Sequence, residues 1–158
     1  MSLTWLDIGF TDLTLEQLYN VLQLRVDVFV VEQNCPYPEL DGKDKHVHTR
    51  HLLGINDQQE IVAYSRVLAP SISYPQASIG RVAVAKSARG QGVANQLMQR
   101  AIAIAKQHWP DDHIQIGAQD YLRQFYEKLG FAVNSEVYLE DGIPHLDMLL
   151  TYPVIIHK

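Results

Sequence analysis

The sequence IGRVAVAKSARGQGVA, residues 79–94, carries the strongest indication of the fold. Residues 79–84 are mostly apolar and predict a short β-strand, and residues 93–108 repeat apolar side chains at the spacing of a helix. Between these elements, Gly90 and Gly92 form a turn that lets an anion approach the backbone closely. The free N–H groups and the dipole at the start of a helix also favour an anion. The stretch therefore predicts a turn that binds phosphate.

Three kinds of phosphate-binding turn can be compared with this stretch. A Walker loop requires Gly-Lys-Ser/Thr, and no such sequence follows. A dinucleotide-binding turn requires a third glycine, where Asn95 stands, and an acid at the end of the next strand, whereas Asp111 and Asp112 precede that strand. The third kind, the Gln/Arg-x-x-Gly-x-Gly/Ala turn that binds coenzyme A, is matched by residues 89–94. The strand and helix on either side argue against a plain glycine-containing turn without a ligand.

The other predicted elements follow from the spacing of apolar residues and from turn residues. Thr14 and Gln17 have the spacing of a capping box, which places the start of a first helix. Residues 35–49 form a polar loop of a length that is often functional. A hairpin is predicted at residues 52–56 and 61–68, and a short strand at residues 114–117. A helix at residues 121–129, closed by Gly130, and an antiparallel pair at residues 131–138 and 143–150 follow. Because these elements do not alternate as regular βαβ units, the order predicts a mixed α+β domain.

Composition limits the class of protein. The chain has 158 residues, 47% of them hydrophobic, which fits a single globular domain over residues 1–158. Its formal net charge is -5, and no cluster of Lys and Arg suggests a surface for nucleic acid. Cys35 is the one cysteine, so no disulfide forms within the chain. With neither a signal peptide nor an apolar run of membrane-spanning length, we expect a cytoplasmic protein without membrane or nucleic-acid partners.

Several motifs together resemble those of one family. The turn RGQGVA, residues 89–94, and the segment FYEKLGF, residues 125–131, are similar to signatures of the GNAT superfamily of N-acetyltransferases. The similarity extends to the small bacterial ElaA-like branch on four further segments: LQLR at 22–25, VFVVEQNCPY at 28–37, GAQ at 117–119 and EDGIPH at 140–145. Because these segments span most of the chain, the resemblance applies to the whole domain.

The resemblance implies a GNAT acyl-CoA N-acyltransferase fold, in which helices flank a central mixed, mostly antiparallel sheet whose fourth and fifth strands splay apart. It implies acetyl-CoA, a form of coenzyme A, as the acyl-donor substrate, with the pantetheine arm along the fourth strand and the diphosphate on the turn. The residues implied to bind it are Val82, Ala83, Val84, Arg89, Gly90, Gln91, Gly92, Val93, Ala94 and Asn95. The acceptor would be an amine of a small molecule or a protein, and a homodimer is left open as the assembly.

Acetyl transfer to an amine has three chemical requirements. The amine must lose its proton, since an alkylamine has a pKa of ~10. The developing oxyanion needs a donor, for which a backbone N–H of the fourth strand is suited, and the leaving thiolate benefits from a proton. Tyr126 is the predicted general acid, because it stands where many members of the family carry a tyrosine. The competing interpretation of Tyr126 is an aromatic core residue beside Phe125.

Three residues are candidates for the general base: Glu32, His51 and His145. The resemblance places Glu32, beside the long loop, and His145, on the last strand, near the acceptor. The competing interpretations are a solvated carboxylate for Glu32 and a hydrogen-bonded structural histidine for His145. Cys35 has no evident base beside it and is interpreted as a small apolar residue rather than a nucleophile. No metal site is predicted, because the histidines lack a cysteine pair or a His-Glu-x-x-His spacing.

The predicted acceptor pocket lies between residues 32–51 and 138–145. Both segments contain a histidine and acids that would attract a cationic amine, namely Glu32, Glu39, Asp41, Asp44, Glu140 and Asp141. The competing interpretation is that these acids are solvated loop residues. Two other functions stay open: a GNAT module that senses acyl-CoA without turnover, and an acyltransferase with a longer acyl donor, since Arg25-x-x-Val28-Phe29 resembles acyl-homoserine-lactone synthases. Tyr126 favours an enzyme, because a binding module would not need an acid for the thiolate.

Overall fold

One mixed sheet forms the centre of the protein, whose computed structural model describes residues 2–152. Its eight strands are β1 Thr4–Gly9, β2 Arg50–Ile55, β3 Ile61–Leu68, β4 Ala77–Val84, β5 Ile114–Gln119, β6 Ala132–Val133, β7 Tyr138–Glu140 and β8 Ile143–Leu150. They lie in the order β1-β2-β3-β4-β5-β8-β6, and β7 also pairs with β8. Neighbouring strands are antiparallel except β4 and β5, which confirms the mixed, mostly antiparallel sheet. Residue 1 and residues 153–158 of the predicted domain lie outside the described residues.

The α-helices of the described chain are α1 Leu15–Val26, α2 Val93–His108 and α3 Arg123–Lys128. α1 begins at the predicted capping box, in which the Thr14 hydroxyl accepts from the Gln17 N–H and the Gln17 side chain accepts from the Thr14 N–H, both at 3.0 Å. After α1 the chain continues as a wider π-helical segment, Asp27–Glu32, a form often found at functional sites. No helix within residues 2–152 has the length and apolar character needed to cross a membrane.

The two faces of the sheet differ in polarity. α2 packs on one face, where it forms the main apolar core with residues of β3, β4, β5 and β8, including Val67, Ile79, Leu97, Met98, Ala101, Ile116 and Met148. α1 covers part of the opposite face through a smaller cluster of Val21, Leu24, Leu53, Tyr64 and Ala83. Beyond that cluster, the second face carries Arg66, His145 and Asp147. Because these polar side chains add nothing to an apolar core, they mark where a site can lie.

The predicted splay between the fourth and fifth strands is confirmed. β4 and β5 pair in parallel at two positions, Ala77 with Ile114 and Ser78 with Gln115. Both strands continue beyond these residues, and β5 extends to Gln119, past the predicted end of that strand. The later part of β4 therefore presents backbone groups toward a gap instead of toward a neighbouring strand.

β4 also contains an irregularity that was not predicted from its sequence. Arg81 and Val82 together lie opposite Ser65 of β3, which makes a β-bulge beside the gap. Arg81 has a φ of 52°, a left-handed conformation that residues with side chains seldom adopt. Backbone strain of this kind concentrates at functional sites. The bulge therefore agrees with a site in the gap between β4 and β5.

The last part of the sheet differs from the prediction. The single strand predicted over residues 131–138 is divided into β6 and β7, because residues 134–137 lie opposite only residues 146–147 of β8. Here the Ser135 hydroxyl accepts a hydrogen bond from the Asp147 N–H at 2.7 Å. A side chain thus replaces a regular backbone partner, and the strand is interrupted.

Candidate active site

A cavity of about 510 Å³ occupies the gap between the splayed strands. β4, β5 and β8, residues 35–43 of the long loop and the turn between β7 and β8 contribute to its walls. Its volume is in the range of sites for small molecules. Tyr126 and His145 both line it. The cavity therefore lies between the two segments predicted to border the acceptor, residues 32–51 and 138–145.

The glycine turn before α2 leaves backbone N–H groups open. Gly90 and Gly92 have φ values of 78° and 76°, in the left-handed region that glycine adopts without strain. The helix begins with the hydrogen bond from the Gln96 N–H to the Gly92 carbonyl, at 3.2 Å. In the described structure the N–H groups of residues 90–95 have no protein acceptor, and a β-carbon added at either glycine would meet no atom within 4 Å. A phosphate group fits the chemistry and the space of this turn.

The guanidinium of Arg89 is held by protein acceptors. Its Nε donates to the Val84 carbonyl at 2.9 Å, and its Nη1 and Nη2 donate to the two carboxylate oxygens of Glu32 at 2.7 and 2.8 Å. These hydrogen bonds lower the pKa of Glu32 below its ordinary value, which makes the carboxylate a weak base. Glu32 lines a separate depression of about 320 Å³ with Arg89. The structure thus separates this candidate base from the cavity.

Tyr126 combines a packed ring with a free hydroxyl. Its ring meets those of Phe125 and Phe131 edge-on, with centroids 5.1 and 6.0 Å away, and 7% of the residue is exposed. Among the described residues its hydroxyl has no hydrogen-bond partner, although the residue lines the cavity. Burial, and then the nearby Tyr121, raise the pKa of Tyr126 to about 12. The hydroxyl therefore stays protonated at neutral pH and can donate to a group in the cavity.

His145 is held in one tautomer. Its Nδ1 lies 2.7 Å from the Ile143 carbonyl oxygen, which can only accept, so Nδ1 carries the hydrogen. In the neutral ring Nε2 is then an acceptor, and it lies 3.4 Å from the Glu140 carboxylate. The imidazole also stacks on the Tyr138 ring, with centroids 6.1 Å apart and planes inclined by 21°. When Nε2 carries no hydrogen, an imidazole held in this orientation at the cavity wall can accept a proton.

His51, the third candidate base, has a structural role. Its Nε2 donates to the Asp44 carbonyl at 2.9 Å, so its Nδ1 accepts from the Tyr64 hydroxyl at 2.7 Å. The residue is 1% exposed, and burial lowers its pKa. With both nitrogens in use and no place in the cavity wall, His51 cannot take a proton from an acceptor.

The acids of the long loop do not make an acidic pocket, contrary to the prediction. Glu39 and Asp44 are buried, and each lies 2.7 Å from a nitrogen of Arg25. Asp41 accepts hydrogen bonds from both terminal nitrogens of Arg66, at 2.8 and 2.9 Å. Although burial opposes the effect, these bonds lower the pKa of Asp41 to about 2. The arginines therefore neutralise the loop acids and fix the loop to the sheet.

A polar cluster beside the cavity was not predicted from the sequence. Asp147 Oδ1 accepts hydrogen bonds from the Tyr138 hydroxyl at 2.6 Å and from the Tyr74 hydroxyl at 3.3 Å. Tyr74 and Gly117 line the cavity. One signal in the sequence marks this place, since Asp147 is a charged residue within an otherwise apolar stretch of β8.

Comparisons with known proteins agree with this geometry. The sequence matches the family model of the acetyltransferase (GNAT) domain over residues 26–152. It is 46% identical over 144 residues to Protein ElaA of Escherichia coli (strain K12), an alignment that covers 91% of this chain and 94% of that protein. The fold is similar to the crystal structure of an acyl-CoA N-acyltransferase from Pseudomonas aeruginosa, with a TM-score of 0.90 and 46% identity over 95% of this chain and 100% of that one. The crystal structure of Escherichia coli ElaA gives a TM-score of 0.89 and 43% identity, with 95% and 100% covered.

Proposed function

Because this chain belongs to the GNAT acetyltransferase family, we propose that it transfers an acetyl group from acetyl-CoA to an amine of a small molecule or a protein. The observation that carries the proposal is the presence, in one cavity, of the free Tyr126 hydroxyl and the oriented His145 imidazole. β4 forms a wall of this cavity and leads into the glycine turn with open N–H groups. One strand therefore joins a turn suited to a phosphate group to a candidate base and a hydrogen-bond donor.

The donor would bind along β4 and the turn. Its diphosphate would accept hydrogen bonds from the N–H groups of residues 90–95, while Arg89 holds the turn in place. Its pantetheine arm would pair with residues 82–84, where β4 has separated from β5. A backbone N–H of the same strand would stabilise the oxyanion that forms at the thioester carbonyl.

The acceptor side supplies the base. His145 Nε2 takes the extra proton of the ammonium and releases it to solvent, so that the neutral nitrogen can form a bond to the acetyl carbon as the carbon–sulfur bond breaks. Tyr126 donates a hydrogen bond to the departing sulfur. Because its pKa of about 12 exceeds the ~8.5 of a typical thiol, Tyr126 stabilises the sulfur as a donor rather than by giving up its proton completely. The nitrogen loses a second proton as the amide forms, and the thiolate gains a proton from solvent.

Thiol release from acetyl-CoA over a panel of amines tests this function. Free coenzyme A and acetylated amine should appear together and in equal amounts. A thermal-shift measurement with acetyl-CoA, made on the same protein, reports binding separately. Stabilisation by acetyl-CoA without acetylation of any amine would favour an acyl-CoA sensor over an enzyme.

A further inference from the structure

Three oxygen atoms converge above Gly117, which lines the cavity together with Tyr74. A β-carbon at position 117 would lie 2.8 Å from the Tyr74 hydroxyl, 3.3 Å from the Tyr138 hydroxyl and 3.9 Å from Asp147 Oδ1. Any residue with a side chain would therefore press into this group of oxygens. Tyr74, Tyr138 and Asp147, together with the space left by Gly117, are called here the Asp147 cluster.

The Asp147 cluster can offer a ligand mainly hydrogen-bond acceptors. Tyr138 and Tyr74 direct their hydroxyl hydrogens to Asp147 Oδ1. Burial, and then the charge of Asp147, raise the pKa of Tyr74 to about 12, and burial and the bond to Asp147 also raise the pKa of Tyr138. Both hydroxyls therefore keep these hydrogens at neutral pH, and toward a ligand their oxygens can act only as acceptors.

The second carboxylate oxygen of Asp147 adds a free acceptor. Oδ2 receives no hydrogen bond from a described residue. Oδ2 is also accessible to solvent. Among the described residues, Arg66 Nε is the one side-chain N or O atom that is both buried and without a hydrogen-bond partner, so an unpartnered Oδ2 is not buried. Acceptors around a negative charge match an ammonium group, which has three N–H donors and a positive charge.

The Asp147 cluster lies beside the candidate base without coinciding with it. Asp147 and His145 are two residues apart on β8 and face the same side of the sheet, which separates their Cα atoms by roughly 6.6 Å. Tyr138 bridges them, since its ring stacks on His145 and its hydroxyl reaches Asp147. An amine that gives its proton to His145 therefore leaves the cluster free for a second ammonium of the same molecule.

On the basis of the proposed function, we propose that the acceptor is a diamine, or another amine with a second cationic nitrogen, which the Asp147 cluster binds while the reacting amine lies at His145. The strand spacing suits nitrogens joined by roughly four or five methylene groups. Acetyl transfer itself is unchanged: the N–C bond forms, the C–S bond breaks, and the proton of the reacting amine goes to His145. The second nitrogen stays protonated.

A matched pair of acceptors tests the proposal: 1,4-diaminobutane and n-butylamine, which have the same chain length and differ by one amino group. Wild type should show a kcat/KM for the diamine that is higher by roughly 10-fold or more, as expected for hydrogen bonds to a charged group. Asp147→Asn and Tyr74→Phe should bring the ratio of the two values toward one. Tyr19→Phe, which alters an exposed tyrosine of α1, should leave both values unchanged.

Gly117→Ala tests the proposal independently. It inserts a methyl group among the three oxygens and should also reduce the preference for the diamine. Equal kcat/KM for the two amines in wild type would overturn the diamine assignment while leaving acetyl transfer intact. So would an Asp147→Asn variant that loses activity equally toward both amines. If acetyl-CoA binds and another amine of the panel is acetylated but neither of these two is, the diamine assignment alone is contradicted. If no amine of the panel is acetylated, the proposed function is contradicted as well.

Discussion

Arg89 and Glu32, which are 57 residues apart in the chain, form a two-point ion pair with distances of 2.7 and 2.8 Å. The same guanidinium donates to the Val84 carbonyl at the end of β4. One side chain therefore connects the glycine turn, the strand before it and the π-helical segment Asp27–Glu32. We interpret the pair as a support that keeps the turn in a shape able to bind phosphate.

Glu32→Gln should raise the KM for acetyl-CoA a few-fold and leave kcat near that of wild type. The effect is small because the two side chains are 38% and 31% exposed, and an ion pair at the surface contributes roughly 1 kcal/mol or less. A double-mutant cycle with Arg89→Gln measures it. The two substitutions should not be additive, since each breaks the same pair, and full additivity would show that the residues act separately.

Gly92→Val should abolish the binding of acetyl-CoA. The valine would fill the open space above the turn, and it would adopt a φ of 76° at a cost of roughly 1–2 kcal/mol. Gly42→Val is the matched control, because Gly42 has a φ of 82° and equally open surroundings away from the turn. Isothermal titration should detect binding to the Gly42 variant alone. Unchanged affinity in a folded Gly92 variant would exclude the turn as the phosphate site.

Tyr126→Phe should lower kcat by at least ~10-fold with little change in the KM for acetyl-CoA, because removing one hydrogen-bond donor to a charge that develops in the transition state typically costs roughly 10²–10³-fold. The phenylalanine keeps the edge-on contacts with Phe125 and Phe131, so the fold should survive. Tyr121→Phe, at an exposed neighbour, is the control and should keep full activity. Full turnover by the Tyr126 variant when chemistry is rate-limiting would leave this residue with a packing role alone.

The parts of the fold that could be predicted are those with local signals. The strand, glycine turn and helix over residues 79–108 are encoded by apolar spacing and two glycines, and the capping box at Thr14 marks the start of α1. The splay of β4 from β5 was predicted instead from the resemblance to a family. The positive φ of Arg81 was not predictable, because it depends on how β4 pairs with β3.

The electrostatics of the site were predicted least well, since they depend on contacts between distant parts of the chain. The loop acids were predicted to attract a cation because the sequence does not show which arginines pair with them. These partners, Arg25, Arg66 and Arg81, come from other elements. Glu32 was likewise predicted as a candidate base, because nothing near it in the sequence indicates that Arg89 is its partner. Residue type alone could not distinguish a paired carboxylate from a free one.

The acid-sensitive part of the stability should involve Asp41. The pKa of Asp41, about 2 in the folded protein, lies below the ordinary value of ~3.9. The contribution of its carboxylate to the free energy of unfolding is therefore present in full above pH ~4 and is lost as the pH falls toward 2. Asp41→Asn should therefore lower the Tm at pH 6, and the difference from wild type should narrow as the pH approaches 2. Asp57→Asn, in the exposed turn between β2 and β3, should follow wild type at every pH. A constant difference for Asp41→Asn would contradict the assigned pKa.

The central claim is that an amine is acetylated in the cavity between β4 and β5, with His145 as the base. Its most direct test is the pH dependence of kcat/KM for the amine, with free coenzyme A and acetylated amine both quantified, in wild type, His145→Gln and Glu32→Gln. We expect equal amounts of the two products, an acidic limb that His145→Gln abolishes or shifts, and an unchanged limb in Glu32→Gln, whose side chain lies outside the cavity. Thiol release without acetylated amine, or an identical limb in His145→Gln, would contradict the claim.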